Sequence, residues 1–111
     1  VVRAISAYYD DHKGLPVAGQ TGKIILCGSV RDLECEWGKD GLADNEGVRY
    51  LNKLPIDPQV EMGKKYVYET GQEPGVFRIY VALEYKRDEG RRVGLTMECG
   101  VGVQCNWYAG N

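Results

Sequence analysis

Side chains that could support nucleophilic or acid–base catalysis are few in this chain of 111 residues. Its one histidine, His12, follows Asp10 and Asp11 near the end of a helical pattern. A catalytic nucleophile needs a neighbouring base that a third group orients, and adjacent residues of a helix diverge instead of sharing a proton. We therefore expect His12 and both aspartates to be solvated polar residues, and the chain not to be an enzyme.

The four cysteines form two close pairs, with seven residues inside the first and five inside the second. These spacings differ from the C-x-x-C pairs of most zinc sites, and two disulfides in an oxidising compartment fit them better. Of the three possible connectivities we favour the local one, because closing a short loop costs little chain entropy. The predicted pairs are Cys27–Cys35 and Cys99–Cys105.

A run of acidic residues offers oxygen ligands of the kind that calcium prefers. Its spacing does not match an EF-hand loop, so we expect no metal or other cofactor, with calcium as the alternative. The acidic residues are Asp32, Glu34, Glu36, Asp40, Asp44 and Glu46.

Basic residues flank a predicted hairpin turn at Asp88–Gly90, close to Tyr85. Cations beside an aromatic ring could contact the phosphates and a base of DNA. The alternative is an exposed hairpin tip whose charge keeps it soluble. The net charge of −2 gives no overall attraction to nucleic acid or to an anionic membrane. The possible DNA-binding residues are Lys86, Arg87, Arg91 and Arg92.

The N-terminal stretch has the pattern of a helix. Val1, Ile5 and Tyr8 recur at helical spacing, and Gly14 followed by Pro16 predicts the end of the helix. The apolar pattern is already present at Val1, with no capping residue before it. We expect a helix that continues upstream; the alternative is a short terminal helix with a frayed first turn.

The C-terminal half has the pattern of β-structure. Val76–Lys86 alternates apolar and polar residues strictly, Val93–Cys99 is expected to return as its antiparallel partner, and Val103–Tyr108 could add a short strand. Lys23–Cys27 and Lys65–Glu69 are expected to be short strands. The predicted fold is α+β: an N-terminal helix (1–14), a long loop region (15–64) and a three- or four-stranded antiparallel sheet (65–111) that Ile5, Tyr8 and Tyr9 cover, all in one domain.

Three stretches together resemble a type IV pilin or pilin-like protein without its N-terminal apolar half-helix. The helix carries Ala4-Ile5, Tyr8-Tyr9, Asp11, Gly14 and Pro16 of the pattern common in pilin helices, with Leu15 in place of the usual aromatic residue. The run from Tyr50-Leu51 through Leu54-Pro55 to Asp57-Pro58 is similar to the signature of many pilins and major pseudopilins. The third stretch comprises Tyr66–Tyr68 and Phe77–Glu84, which resemble the strands that follow this signature in bacterial pilins.

The resemblance implies the globular domain of a subunit that polymerises through its N-terminal helix. Its partners would be further copies of the chain or related pilins, and the membrane through the apolar half-helix. It implies a precursor in a bacterial inner membrane, and then a filament at the cell surface or in the periplasm. Neither the Thr-x-x-Gln-Gly-Leu stretch nor the calcium loop of major pseudopilins is recognisable, which favours a pilus subunit; a secretion pseudopilin or a DNA-binding minor pilin is the alternative. The residues assigned to assembly are Val1, Val2, Ala4, Ile5 and Tyr8.

Overall fold

The chain starts with an α-helix, α1, over Val2–His12. The structure is a computed structural model that describes residues 1–82 and 97–110. The left-handed residue that ends α1 is Lys13 (φ 57°), one position before the predicted Gly14, and its N–H donates to the Tyr9 carbonyl at 2.7 Å. The predicted helix over 1–14 is therefore confirmed to within two residues at its C-terminal end.

Three small antiparallel sheets follow the helix. The first has the strand order β1-β2-β3, the second pairs β4 with β5, and the third has the order β6-β7-β8. A short 3₁₀ turn over Val60–Met62 leads from the second sheet to the third. The strands are β1 Val17–Ala18, β2 Ile24–Cys27, β3 Leu33–Glu34, β4 Leu42–Ala43, β5 Arg49–Leu51, β6 Val67–Thr70, β7 Phe77–Val81 and β8 Trp107–Gly110.

The predicted α+β class is wrong, because strand residues outnumber helical ones and the domain is β-rich. The region 15–64, predicted to be mainly a long loop with one short strand, contains five strands in two sheets. Four of these strands have only two or three residues, too few to display the alternation that identifies a strand in a sequence. They pair with residues only six to nine positions away in the chain, so the two sheets are built from local hairpins.

The predicted partner of β7 is also wrong over the part that the structure describes. β7 pairs with β6 along one edge, where Tyr68 lies opposite Ile79, and with β8 along the other, where Trp107 lies opposite Val81. Both edges of Phe77–Val81 are therefore occupied, and the described part of the predicted partner, 97–99, forms a bridge between Glu98 and Gln104 instead. The predicted strand residues 83–86 and 93–96 lie outside the described residues.

The two faces of β7 contribute to different clusters. Phe77 and Ile79 join the main core, which also contains Ile5 of α1. Tyr80, on the other face, is only 7% exposed and packs in a second cluster with Val67 and the Cys99–Cys105 pair. The sheet is thus covered on both sides near Tyr80, where the alternating sequence predicted one polar face.

Helix α1 covers the sheet less directly than predicted. Ile5 lies in the same core as Phe77 and Ile79. Tyr8 instead packs edge-on against Tyr50 of β5, with ring centroids 5.5 Å apart. Tyr9 lies against the turn before β7, where a Cβ added to Gly75 would come within 2.9 Å of its ring.

We expect Phe77→Ala to lower the free energy of unfolding by about 3–5 kcal/mol, because the ring is 0% exposed in the core shared by the helix and the sheets. Denaturant titration monitored by circular dichroism measures this change. Val30→Ala is the matched control, since Val30 is 65% exposed and should change the free energy by less than about 0.5 kcal/mol. Equal effects of the two substitutions would contradict the core described here.

Candidate functional site: the docked helix

Helix α1 is attached to the domain by one face. Ala4 and Ile5 are 6% and 0% exposed, and Val1, Val2 and Tyr8 are partly buried against the same core. Two of the residues predicted for assembly, Ala4 and Ile5, are therefore already used inside the domain. The opposite face is exposed and carries Arg3, Ala7 and Asp10, at the i, i+4, i+7 spacing of one helical stripe.

A polar cluster fastens the C-terminal end of α1 to the β4–β5 hairpin. His12 contacts the Asp44 carboxylate through Nε2 at 3.0 Å. The Tyr50 hydroxyl donates to Asp11 at 2.7 Å and lies 3.3 Å from Asp44. The His12 ring also stacks on Tyr8 at a centroid distance of 4.3 Å. His12 and Asp11 are exposed at the helix end, but the hairpin also places a buried carboxylate and a phenol in contact with them, which the sequence did not predict.

Asp44 is the centre of this polar cluster and is only 4% exposed. Its Oδ1 accepts the backbone N–H groups of Glu46 and Val48, both at 2.9 Å, while Oδ2 faces His12. Burial disfavours the charged form, but the hydrogen bonds from Val48, His12, Glu46 and Tyr50 outweigh it and lower the pKa of Asp44. The pKa of Tyr50 is raised, mainly because its hydroxyl donates to Asp11 and also because it is desolvated.

We expect Asp44→Asn to lower the denaturation midpoint at pH 7. A carboxylate whose pKa is lower in the folded state adds stability above its unfolded pKa of about 3.9, and this stability is lost as the pH falls through the folded pKa. The difference in denaturation midpoint between the unsubstituted protein and Asp44→Asn should therefore be largest at neutral pH and shrink below about pH 4. Thermal melts from pH 2.5 to pH 7 measure it, with Asp10→Asn on the exposed helix face as the control. A difference independent of pH would contradict the role of the charge.

Both predicted disulfides are confirmed. Cys27–Cys35 joins β2 to the segment after β3, with the Cα atoms 5.2 Å apart, and Cys99–Cys105 closes a small loop, with the Cα atoms 5.1 Å apart. Cys35, Cys99 and Cys105 are at most 1% exposed. The described residues contain no free cysteine. These bridges contribute to the core, and no described cysteine has a thiol that could act as a nucleophile or a ligand.

We expect the double variant Cys99→Ser, Cys105→Ser to lose about 2–3 kcal/mol of unfolding free energy, because the bridge limits the entropy of the unfolded chain. Denaturant titration measures the loss, and Cys27→Ser with Cys35→Ser should give a loss of similar size. Intact mass should rise by four hydrogen atoms on full reduction, which counts the two bridges independently. A mass that reductant leaves unchanged would contradict the pairing.

The acidic residues considered as calcium ligands contact different parts of the domain. Glu34 accepts from the Thr21 hydroxyl at 2.9 Å, Asp40 accepts the Glu36 N–H at 2.8 Å, and Asp44 belongs to the cluster at the helix end. Within residues 1–82 and 97–110, no three His, Cys, Asp or Glu side chains come together as a metal site would require. The possible DNA-binding residues Lys86, Arg87, Arg91 and Arg92 lie outside the described residues.

Sequence reasoning missed a cavity beside β7 and β8. It has a volume of about 320 Å³ and is lined by Asp57, Pro58, Gln59, Tyr66, Val81, Ala82 and Trp107. The Asp57-Pro58-Gln59 run carries the only local signal, since an aspartate before a turn often accepts the N–H two residues on. Nothing in the sequence brings residue 57 to residues 66 and 107.

In the part of the chain that the structure describes, no helix has both the length and the apolar character needed to cross a bilayer. Comparison of the chain with protein-family models, with curated proteins and with solved structures finds no match. The function must therefore be argued from the residues and their geometry.

Proposed function

We propose that the chain is the globular domain of a structural subunit of a type IV pilus or pilus-like filament, polymerising through its N-terminal helix. The resemblance over α1 and over the Tyr50–Pro58 signature suggests this function. The observation that carries the proposal is the one-sided docking of α1. One face is buried in the head, while the stripe of Arg3, Ala7 and Asp10 is free to pack against other subunits.

The firm attachment of α1 to the β-sheets supports a role as a filament subunit. A subunit that transmits force through its helix needs the helix to be fixed to the rest of the domain. Both ends of α1 are fixed in this way. Ala4 and Ile5 fix its first turns in the core, and His12 is fixed to the buried Asp44 at 3.0 Å. Burial of an isoleucine side chain alone contributes roughly 1.5–3 kcal/mol.

The first residues of the chain also form part of an apolar groove on the surface of the domain. Val1 and Val2 line a groove of about 220 Å³ together with Trp37 and Trp107. None of the described side chains that line this groove bears a formal charge. The other lining residues are Pro55, Tyr66, Ile79, Val81 and Ala109. An apolar helix of a neighbouring subunit could pass beside it without leaving a buried charge unpaired.

We expect Ala7→Glu to abolish filament assembly while leaving the fold of the domain unchanged. The substitution places a charge on the free face of α1, where a neighbouring helix would bury it, and Glu is a good helix former. The measurement is electron microscopy and sedimentation of the product of the whole native gene, compared with circular dichroism of the soluble domain. Val101→Glu is the matched control, because Val101 is 100% exposed in the loop that the Cys99–Cys105 bridge closes.

Two results would contradict the assembly role. The native coding region upstream of Val1 is expected to specify roughly 25 predominantly apolar residues, enough for a membrane-spanning helix, and a polar region there would refute the proposal. Filaments that form equally well with Ala7→Glu would show that the exposed stripe of α1 does not enter the contact between subunits.

A further inference from the structure

Asp57 is a buried carboxylate with no ion-pair partner among the described residues. It is 6% exposed, and its Oδ1 accepts the backbone N–H of Gln59 at 2.8 Å. The other buried acid, Asp44, accepts two N–H groups and faces His12, whereas no Lys, Arg or His nitrogen in residues 1–82 and 97–110 forms a salt bridge with Asp57. Removing a carboxylate from water is costly unless a cation or several donors compensate it.

Three lysines near Asp57 have other partners. The Lys64 ammonium donates to the side-chain oxygen of Gln59. Lys65 donates to the Thr21 carbonyl at 3.3 Å, and Lys23 pairs with Glu36 at 3.5 Å. All three lysines line a second groove, to which Asp57 and Tyr66 also contribute. Among the described residues, none of these ammonium groups forms an ion pair with the Asp57 carboxylate.

The cavity beside Asp57 has apolar and aromatic walls. Tyr66 and Trp107 supply rings, and Val81 and Ala82 supply aliphatic surface. Trp37 packs edge-on against Tyr66 at a centroid distance of 5.5 Å and so supports that ring. Among the described residues that line the cavity, Asp57 alone bears a formal charge. The pKa of Tyr66 is raised by desolvation and, to a smaller extent, by the charge of Asp57.

We propose that this cavity binds an alkylated ammonium group, with the Asp57 carboxylate as its counter-ion and the rings of Tyr66 and Trp107 in contact with its alkyl groups. Aromatic faces attract cations, and tryptophan does so best. A primary ammonium is a compact and strongly hydrated charge, whereas a quaternary ammonium presents alkyl groups that the mostly apolar walls can cover. The site requires no second copy of the chain, although Tyr66, Val81 and Trp107 also line the groove beside Val1 and Val2.

Titration of the 111-residue chain with tetramethylammonium and with choline tests the proposal. Tryptophan fluorescence and the indole N–H signals in NMR spectra report binding. We expect saturable binding of both cations and at least about tenfold weaker binding of 3,3-dimethyl-1-butanol, the uncharged analogue of choline with the same shape. Equal affinity for the uncharged analogue, or no saturable binding of either cation, would overturn the proposal.

Substitution at Asp57 separates its charge from its structural hydrogen bond. Asp57→Asn keeps an oxygen for the Gln59 N–H but removes the negative charge, and we expect at least about tenfold weaker choline binding. Glu61→Gln removes a carboxylate from the exposed 3₁₀ turn nearby and should leave binding unchanged. If Asp57→Asn impairs folding, Trp107→Leu replaces the aromatic face within β8 and should also weaken binding. Unchanged affinity in a folded Asp57→Asn or Trp107→Leu variant would contradict the site.

The ammonium group could come from a soluble molecule or from a lipid headgroup, and vesicles distinguish the two. Co-sedimentation with phosphatidylcholine vesicles that Asp57→Asn abolishes would support the site and identify a lipid headgroup. Binding of free choline without co-sedimentation would support the site with a soluble ligand. Equal co-sedimentation with phosphatidylglycerol vesicles, retained in Asp57→Asn, together with no saturable binding of free choline, would overturn the proposal.

Discussion

Burial of apolar surface in one core shared by the helix and all three sheets is the interaction on which this structure depends. Sheets of two or three short strands are marginal in isolation. Here the first sheet contributes Leu26, the second Leu42 and the third Phe77, and Ile5 of α1 packs among them. Because each element buries its apolar face only against the others, we expect the domain to unfold cooperatively. Attachment of α1 follows from the same burial.

The short strands remain in register because a disulfide and the backbone conformation of a turn limit the other ways in which they could pair. The Cys27–Cys35 bridge joins β2 to the segment just beyond β3. Gly22 adopts φ +80°, and a Cβ at that position would lie 2.7 Å from a methyl group of Val67. Its carbonyl accepts the Tyr68 N–H at 2.8 Å, so the turn after β1 is joined to β6. These constraints let strands of two residues pair where propensity alone would not hold them.

The two buried aspartates show how the same side chain serves different purposes. Asp44 is compensated by backbone N–H groups, His12 and Tyr50, and this compensation fastens the helix to the hairpin. Asp57 accepts one backbone N–H and borders a cavity with aromatic walls. Full compensation produces a structural joint, whereas partial compensation leaves an electrostatic field that a ligand can use. The exposed stripe of α1 shares no residue with the proposed cation site, whereas the groove beside Val1 and Val2 shares Tyr66, Val81 and Trp107 with it.

The sequence by itself determined α1, β2, most of β6 and β7, and both disulfides. Helical spacing around Ile5 and alternation around Phe77 and Ile79 are local properties, and the Cys27–Cys35 and Cys99–Cys105 loops are short enough to favour their own closure. Only the tertiary structure decided that β8 lies beside β7, that residues 15–64 form two further sheets, and that His12 meets Asp44. It also decided that Asp57 lies with Tyr66 and Trp107. The reason is physical: strands of two or three residues carry no readable period, and contacts between residues far apart in the chain are selected by packing of the whole core.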